Sequence, residues 1–185
     1  MNSESTIDFL GTKMAPIPSP DFNYIWIGSK ADAANLDLLN ENGIQFIVNC
    51  TRDHLDGGVK NFHEGVPGMR YVRVPLKDNE TEVSSLFVTP ILCQTMQLCL
   101  LQTAWKFMDR ARDVGTGVLV HCAMGKSRSS AVLISYIMHK SGCTYEDGLN
   151  LVRSARRLVE PNPAFADRLQ YLYLSGEIKD RGDDN

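Results

Sequence analysis

The chain lacks the features that would send it across a membrane, out of the cell or onto nucleic acid. Its start, Met1-Asn2-Ser3-Glu4-Ser5, has neither a basic n-region nor an apolar h-region, and position 2 is not the glycine that myristoylation needs. No apolar stretch reaches the roughly 20 residues that a spanning helix requires. An excess of basic residues is also missing: 19 Lys and Arg stand against 22 Asp and Glu, a net charge of -3, which argues against a nucleic-acid surface. Cysteines number five, an odd count without framework spacing, which points to a reducing compartment rather than a disulfide scaffold. The expected protein has no membrane anchor and no nucleic-acid partner, and its expected location is cytoplasmic and/or nuclear. The triplets Asn49-Cys50-Thr51 and Asn79-Glu80-Thr81 are then chance matches to a glycosylation signal.

What is present is enough for one core. With 185 residues and 43% hydrophobic content the simplest organisation is a single domain. Residues 1–20 are polar and then carry Pro16, Pro18 and Pro20 in alternation, which predicts a flexible N-terminal segment. The domain is expected over 21–176, and 177–185 form an acidic C-terminal tail. Short strands are predicted at Tyr24-Ile25-Trp26-Ile27, at Ile44 to Val48 and at Tyr71 to Val74. Ala31 to Asn42 carries Ala34, Leu38 and Leu39 on one face and stops at Gly43, which predicts one helix. Thr144 with Asp147 three residues on signals a capping box for a helix through Arg156, and Asn162-Pro163 opens the last helix.

The chemistry lies between a buried-looking strand, Gly117-Val118-Leu119-Val120, and an apolar helix that begins near Ser130. His121-Cys122-Ala123-Met124-Gly125-Lys126-Ser127-Arg128-Ser129 joins them. Ala123, Met124, Gly125, Lys126, Ser127 and Arg128 make a loop whose backbone N–H groups can converge on one centre at a helix N-terminus, a geometry suited to a phosphate. A thiol in such a setting has its pKa lowered from about 8.5 to roughly 3.5–7.5, so Cys122 is a candidate nucleophile. Arg128 supplies a planar fork for two phosphate oxygens, which lysine cannot reproduce. Ser129 is placed to donate a hydrogen bond to the sulfur. Strands alternating with helices imply an α/β fold, a central mixed, mainly parallel sheet flanked by helices, with the site at the strands' carboxyl ends.

Cys-x5-Arg-Ser preceded by His resembles the signature loop of the cysteine-based protein tyrosine phosphatases, and His-Cys-x-x-Gly-x-Ser-Arg-Ser resembles their dual-specificity branch. The resemblance runs from about Tyr24 to Leu174 and includes Pro75-Leu76-Lys77-Asp78 and Val159-Glu160-Pro161-Asn162-Pro163. It implies the same α/β fold and hydrolysis of phosphomonoesters through a cysteinyl-phosphate, with no metal or organic cofactor. It places Asp78 as the acid that protonates the leaving oxygen; among the other carboxylates Asp53 and Glu80 are the next candidates should Asp78 not be the acid. Asn162 corresponds to a supporting asparagine near the loop. His121 corresponds to a residue that orients the loop and helps keep the thiol ionised; the alternative is an ordinary hydrogen-bonded core histidine.

The chain departs from the pattern between Asp78 and the catalytic strand, where about a dozen residues look inserted. The segment 84–105 has three readings: a lid, a partner surface, or extra helix packed on the core. Pro90 argues against one unbroken helix across the stretch. Cys50, at the end of the strand from Ile44 to Val48, is a possible redox partner for Cys122, with a buried structural cysteine as the alternative.

The dual-specificity resemblance implies a phosphorylated protein substrate, carrying phosphotyrosine and phosphoserine or phosphothreonine, in a pocket walled partly by residues 52–65. Lys126 points another way, because it matches a lysine position in inositide and inositol-phosphate phosphatases of the same superfamily. Those that act on lipids carry a second loop lysine where this chain has Ala123. A phosphate-binding module without turnover is the remaining alternative. The oligomeric state is left open.

Overall fold

The computed structural model describes residues 13–78 and 91–178. Five strands form one sheet: β1 (Ala15–Pro16), β2 (Ile25–Gly28), β3 (Ile44–Asn49), β4 (Arg70–Arg73) and β5 (Gly117–His121). Their spatial order is β1-β2-β5-β3-β4, antiparallel between β1 and β2 and parallel elsewhere, as the mixed, mainly parallel expectation requires. The central strand β5 has Val118, Leu119 and Val120 fully buried, the continuous apolar run of a parallel strand covered on both faces. Its last residue, His121, lies beside Gly28 of β2 and Asn49 of β3, so three strands end at the same level. The loop that starts at Cys122 opens there.

The ordered sheet begins earlier than residue 21. Ala15 and Pro16 pair with Ile27 and Trp26, Ile17 is fully buried and Met14 nearly so. The flexible-segment expectation therefore fails for these residues, and 1–12 lie outside the described residues. Pro16 is compatible with the strand because an edge position needs no ladder N–H from it. At the other end Ile178 is fully buried and its carbonyl meets His139 Nδ1 at 3.1 Å, so the domain extends past 176.

The single helix predicted from Ala31 to Asn42 is two: α1 (Lys30–Ala34) and α2 (Leu36–Glu41). Asn35 breaks it. Its extended backbone closes α1, while its side chain accepts from Leu38 N and starts α2. A short polar side chain that competes with the backbone for hydrogen bonds favours such a cap over a helix interior.

Helix α3 (Ile91–Asp113) begins directly after Pro90 and runs unbroken to the turn before β5. Ala104, Trp105, Met108 and Ala111 form its buried stripe, and Leu98, Leu100 and Leu101 pack partly against the same core. Residues 98–105 of the inserted-looking segment are thus helix packed on the core; 84–90 and Glu80 lie outside the described residues.

Helix α4 (Arg128–Ser141) carries the site. Every residue from Ser129 to Met138 is buried, as expected for a helix enclosed between sheet and neighbouring helices. Burial of a side chain such as Leu133 or Ile134 contributes about 1.5–3 kcal/mol each, which fixes the position of the loop feeding α4. Gly142, at φ 64°, ends the helix in the left-handed conformation. Then α5 (Tyr145–Ala155) starts with the predicted Thr144–Asp147 capping box, and α6 (Pro163–Leu174) with Asn162 as its N-cap and Pro163 in the first turn.

Candidate active site

The carbonyls of the loop show how it is held. Cys122 O lies 3.2 Å from His121 Nδ1, and Ala123 O accepts from Lys30 N at 3.1 Å. Met124 O and Gly125 O accept from Arg156 Nη2 and Nε at 3.0 and 3.1 Å. Lys126 O accepts from Glu160 N and Ser130 Oγ, and Ser127 O from Ala131 N and Ser130 Oγ. Every carbonyl from 122 to 127 is therefore bonded to a group of the surrounding scaffold. In a trans peptide the N–H points opposite to the C=O, so these bonds turn the loop's donors the other way, toward one cradle.

The thiol of Cys122 sits at the base of that cradle. Gly125 N donates to Sγ at 3.2 Å and Ser129 Oγ at 3.4 Å. Burial alone pushes the thiol up. The Ser129 hydroxyl and backbone N–H, the Lys126 backbone N–H and the Arg128 charge more than offset this and hold Cys122 below the ordinary thiol value. Gly125 has φ 70°, and a Cβ there would meet Gly28 O at 2.5 Å and Arg156 Nε at 2.9 Å, so only glycine fits this turn of the loop.

Ser127 is the N-cap of α4, yet its side chain makes no cap bond. Its hydroxyl instead donates to Asp78 Oδ1 at 2.7 Å and accepts from Asn162 N at 3.2 Å. The first-turn N–H groups of α4 are consequently left for an anion, where the helix end adds positive potential. Asn162 Nδ2 donates to the same Asp78 oxygen at 3.0 Å, and the other oxygen lies 3.4 Å from Arg128 Nε. That contact is an ion-pair distance without hydrogen-bond alignment: Arg128 Nε is buried and makes no hydrogen bond among the described residues.

The sequence-predicted residues Cys122, Arg128, Asp78, Ser129, Ser127 and Asn162 thus meet at one place. Between them and the segment 52–58 lies a cavity of about 200 Å³, lined by Arg52, Gly57, Gly58, Leu76, Lys77, Asp78 and Arg128. The segment is shaped by Arg73, whose Nη1 donates to Thr51 O, Arg52 O and Val59 O and whose Nη2 donates to Asn61 Oδ1. Asn49 is fully buried and donates to Val59 O and Asn61 Oδ1, so it is closed to glycosylation. Asp53 is turned to its own turn, accepting from Leu55 N, and is not among the groups around the sulfur.

His121 stands one residue before the nucleophile. It is fully buried, and burial pushes its pKa down to about 4, so the ring is neutral at physiological pH. It orients the loop through Cys122 O, but it adds no positive charge to keep the thiol ionised. Cys50 is fully buried and unbridged, its N–H donating to His121 O at 2.8 Å; burial and then the neighbouring Cys122 raise its thiol well above the ordinary value. Lys126 Nζ pairs with Glu160 Oε2 at 2.5 Å. Sequence reasoning missed Arg156 and Arg73. Both act through carbonyls distant in the chain, which leaves no local signal. Among the described residues no cluster of three or more His, Cys, Asp or Glu has the arrangement of a metal site, and no helix is long and apolar enough to cross a membrane.

A cysteine under an amide-lined anion cradle, on the carboxyl edge of a mostly parallel sheet, defines a cysteine-centred phosphate-handling domain. A family profile described as dual specificity phosphatase, catalytic domain, matches residues 25–173. Human protein phosphatase Slingshot homolog 2 is 30% identical over 153 residues, covering 83% of this chain and 9% of that protein. Human dual specificity protein phosphatase 6 is 29% identical over 160 residues, covering 86% of this chain and 37% of that protein. Among solved structures, the human tyrosine phosphatase-like serine/threonine/tyrosine-interacting protein aligns with a TM-score of 0.69 at 26% identity, covering 90% of this chain and 99% of that one. The chain belongs to the dual-specificity phosphatase catalytic domain family of the protein tyrosine phosphatase superfamily. It spans well under half the length of either curated relative.

Proposed function

We propose that the protein hydrolyses phosphomonoesters on phosphorylated proteins, taking phosphotyrosine and phosphoserine or phosphothreonine. The observation that carries this reading is the Cys122 sulfur held by Gly125 N–H and the Ser129 hydroxyl, below a loop whose carbonyls all face the scaffold. In the first step the Cys122 thiolate attacks phosphorus in line while the loop amides and Arg128 bind the non-bridging oxygens. The P–O bond to the substrate breaks, Asp78 gives its proton to the leaving oxygen, and a cysteinyl-phosphate remains. In the second step water attacks that phosphorus, Asp78 takes a proton from the water, and the S–P bond breaks. Ser129 receives the returning thiolate by hydrogen bond. Inorganic phosphate leaves.

Asp78 rests beside Arg128 in the open cleft, so an incoming phosphate competes for the arginine and releases the carboxyl to face the leaving group. The cleft of about 200 Å³ is small and faces outward, which suits several phosphorylated side chains better than one large ligand. Lys126 supports a protein over an inositol phosphate, because its ammonium already has a carboxylate partner in Glu160 and a second phosphate would have to displace it. The deciding experiment compares initial rates on phosphotyrosyl and phosphothreonyl peptides and on inositol phosphates. Turnover of both peptide classes, lost in Cys122→Ser, is expected; turnover confined to inositol phosphates overturns the substrate class.

A further inference from the structure

Arg156 is the C-cap of α5, where the chain leaves the helix in an extended conformation. Its side chain does not reach solvent. The residue is only 2% exposed although its guanidinium keeps its charge at any physiological pH. Burying such a charge is expensive unless its donors are met in good geometry. Three of those donors go to backbone carbonyls: Nε to Gly125 O at 3.1 Å, Nη2 to Met124 O at 3.0 Å and Nη1 to Lys13 O at 2.6 Å.

Two of the three carbonyls belong to the peptides whose N–H groups serve the nucleophile. Met124 O and Gly125 N share one peptide, and Gly125 N donates to Cys122 Sγ at 3.2 Å. Gly125 O and Lys126 N share the next, and the Lys126 N–H also stabilises the sulfur's charged form. A peptide is planar and trans, so fixing its oxygen fixes the direction of its hydrogen. We propose that Arg156 is a positioning residue for the phosphate loop: its planar fork sets the 124–125 and 125–126 peptides with their N–H groups facing the sulfur and the bound phosphate. Its third bond, to Lys13, makes the segment before β1 part of the same support.

Lysine cannot substitute, since a single ammonium on a flexible stem does not hold two successive carbonyls in one plane. A purely packing role, by contrast, would lower the melting temperature without altering the sulfur. The other titratable or charged groups around Cys122 are Arg128, Cys50, the neutral His121 and, across Arg128, Asp78; none of them is changed in the test.

The experiment measures two quantities in full-length wild type and Arg156→Lys: inhibition by inorganic phosphate, and the pH midpoint of Cys122 alkylation by iodoacetamide, followed on the Cys122 peptide because Cys99 is also exposed. Arg156→Lys should weaken phosphate by about fivefold or more, the worth of one lost hydrogen bond, and raise the alkylation midpoint by about half a pH unit. A chain that begins at Met14 lacks the Lys13 carbonyl that Arg156 Nη1 donates to, and should move both quantities the same way by about twofold. Folded Arg156→Lys with both quantities unchanged overturns the proposal. If that variant does not fold, the Met14 chain decides, and wild-type values there overturn it. The inference rests on the loop being an anion cradle, and alkylation of wild-type Cys122 tests that separately: no protection by phosphate would overturn the site reading itself.

Discussion

Ser127 spends its hydroxyl on Asp78, at 2.7 Å, instead of capping the helix it begins. One serine thereby does two things. It leaves the first-turn amides of α4 open to an anion, and it joins the loop of the acid to the loop of the nucleophile. Asn162 repeats the link from α6, donating to the same carboxylate oxygen while its own Oδ1 accepts from Phe165 N.

Asp78→Asn should lower kcat by roughly 10²–10⁴-fold on alkyl phosphates, whose leaving oxygen needs a proton, and much less on an activated aryl phosphate. Asn162→Ala should show the same leaving-group dependence in weaker form, together with about 1 kcal/mol lost from the α6 cap. Steady-state rates across a leaving-group series decide this. Equal losses on every ester would mean that Asp78 is not the acid.

Cys122→Ser should abolish turnover while phosphate still binds, since the loop donors do not depend on sulfur. Ser129→Ala removes the first of the influences that hold the thiol down. The sign follows directly. A lowered thiol pKa keeps the nucleophile ionised as pH falls, so raising it moves the acid limb of the kcat/KM profile to higher pH. An acid limb in Ser129→Ala that coincides with wild type would show that the hydroxyl does not stabilise the thiolate.

His121 should make the fold acid-sensitive. Its folded pKa of about 4 lies below the ordinary 6.5, so between these values the unfolded chain binds the proton and the folded chain does not. Stability should then fall as pH drops from 6.5 toward 4, by an amount on the order of 3 kcal/mol. Urea melts at stepped pH should give His121→Gln a shallower decline than wild type over that window.

Cys50 and Cys122 form a candidate redox pair. We propose that mild peroxide converts Cys122 to its sulfenic acid and that Cys50 closes a disulfide on it with loss of water. Burial raises the Cys50 thiol, so closure should be slow at neutral pH and faster as pH rises. Peptide mass spectrometry should find the crosslink, and Cys50→Ala should lose activity irreversibly. Sulfinic acid on Cys122 with Cys50 untouched would refute the pairing.

Much of this site was written in consecutive residues. Cys122 to Ser129 needed only spacing, a preceding apolar strand and a following apolar helix to be legible, and the Thr144–Asp147 and Asn162-Pro163 signals gave two helix starts because caps are local. Arg156 was not legible. Its meaning is a contact with carbonyls 31 and 32 positions away, and in sequence it reads as one more charge at a helix end. The break at Asn35 was hidden because Ala34 before it and Leu38 and Leu39 after it keep a helical period across it. Pro16 misled for the opposite reason: alternating prolines suggest a linker, yet an edge strand tolerates proline, and Met14 and Ile17 pull the segment onto the core. The neutral state of His121 was not legible either, since burial is a property of the fold.

Lys126 decides the substrate class. On the phosphoprotein reading it adds only a positive field at the loop mouth, already offset by Glu160, so Lys126→Ala should change kcat/KM on phosphopeptides a few-fold and evenly. Both side chains of the pair are substantially exposed, so salt should shrink even that effect. Glu160→Gln frees the lysine, and the substrates that gain should be those carrying a second phosphate beside the reacting one. An inositol polyphosphate enzyme would behave in reverse. It would already rely on Lys126 as a charge-assisted donor, so Lys126→Ala would cost roughly ten- to a hundred-fold on inositol phosphates and little on peptides. The three proteins, wild type, Lys126→Ala and Glu160→Gln, are to be assayed side by side on phosphopeptides and inositol phosphates. Even, small losses on peptides with a gain on inositol phosphates in Glu160→Gln are expected; a loss confined to inositol phosphates, with wild type faster on them, would replace the protein substrate with the inositol one.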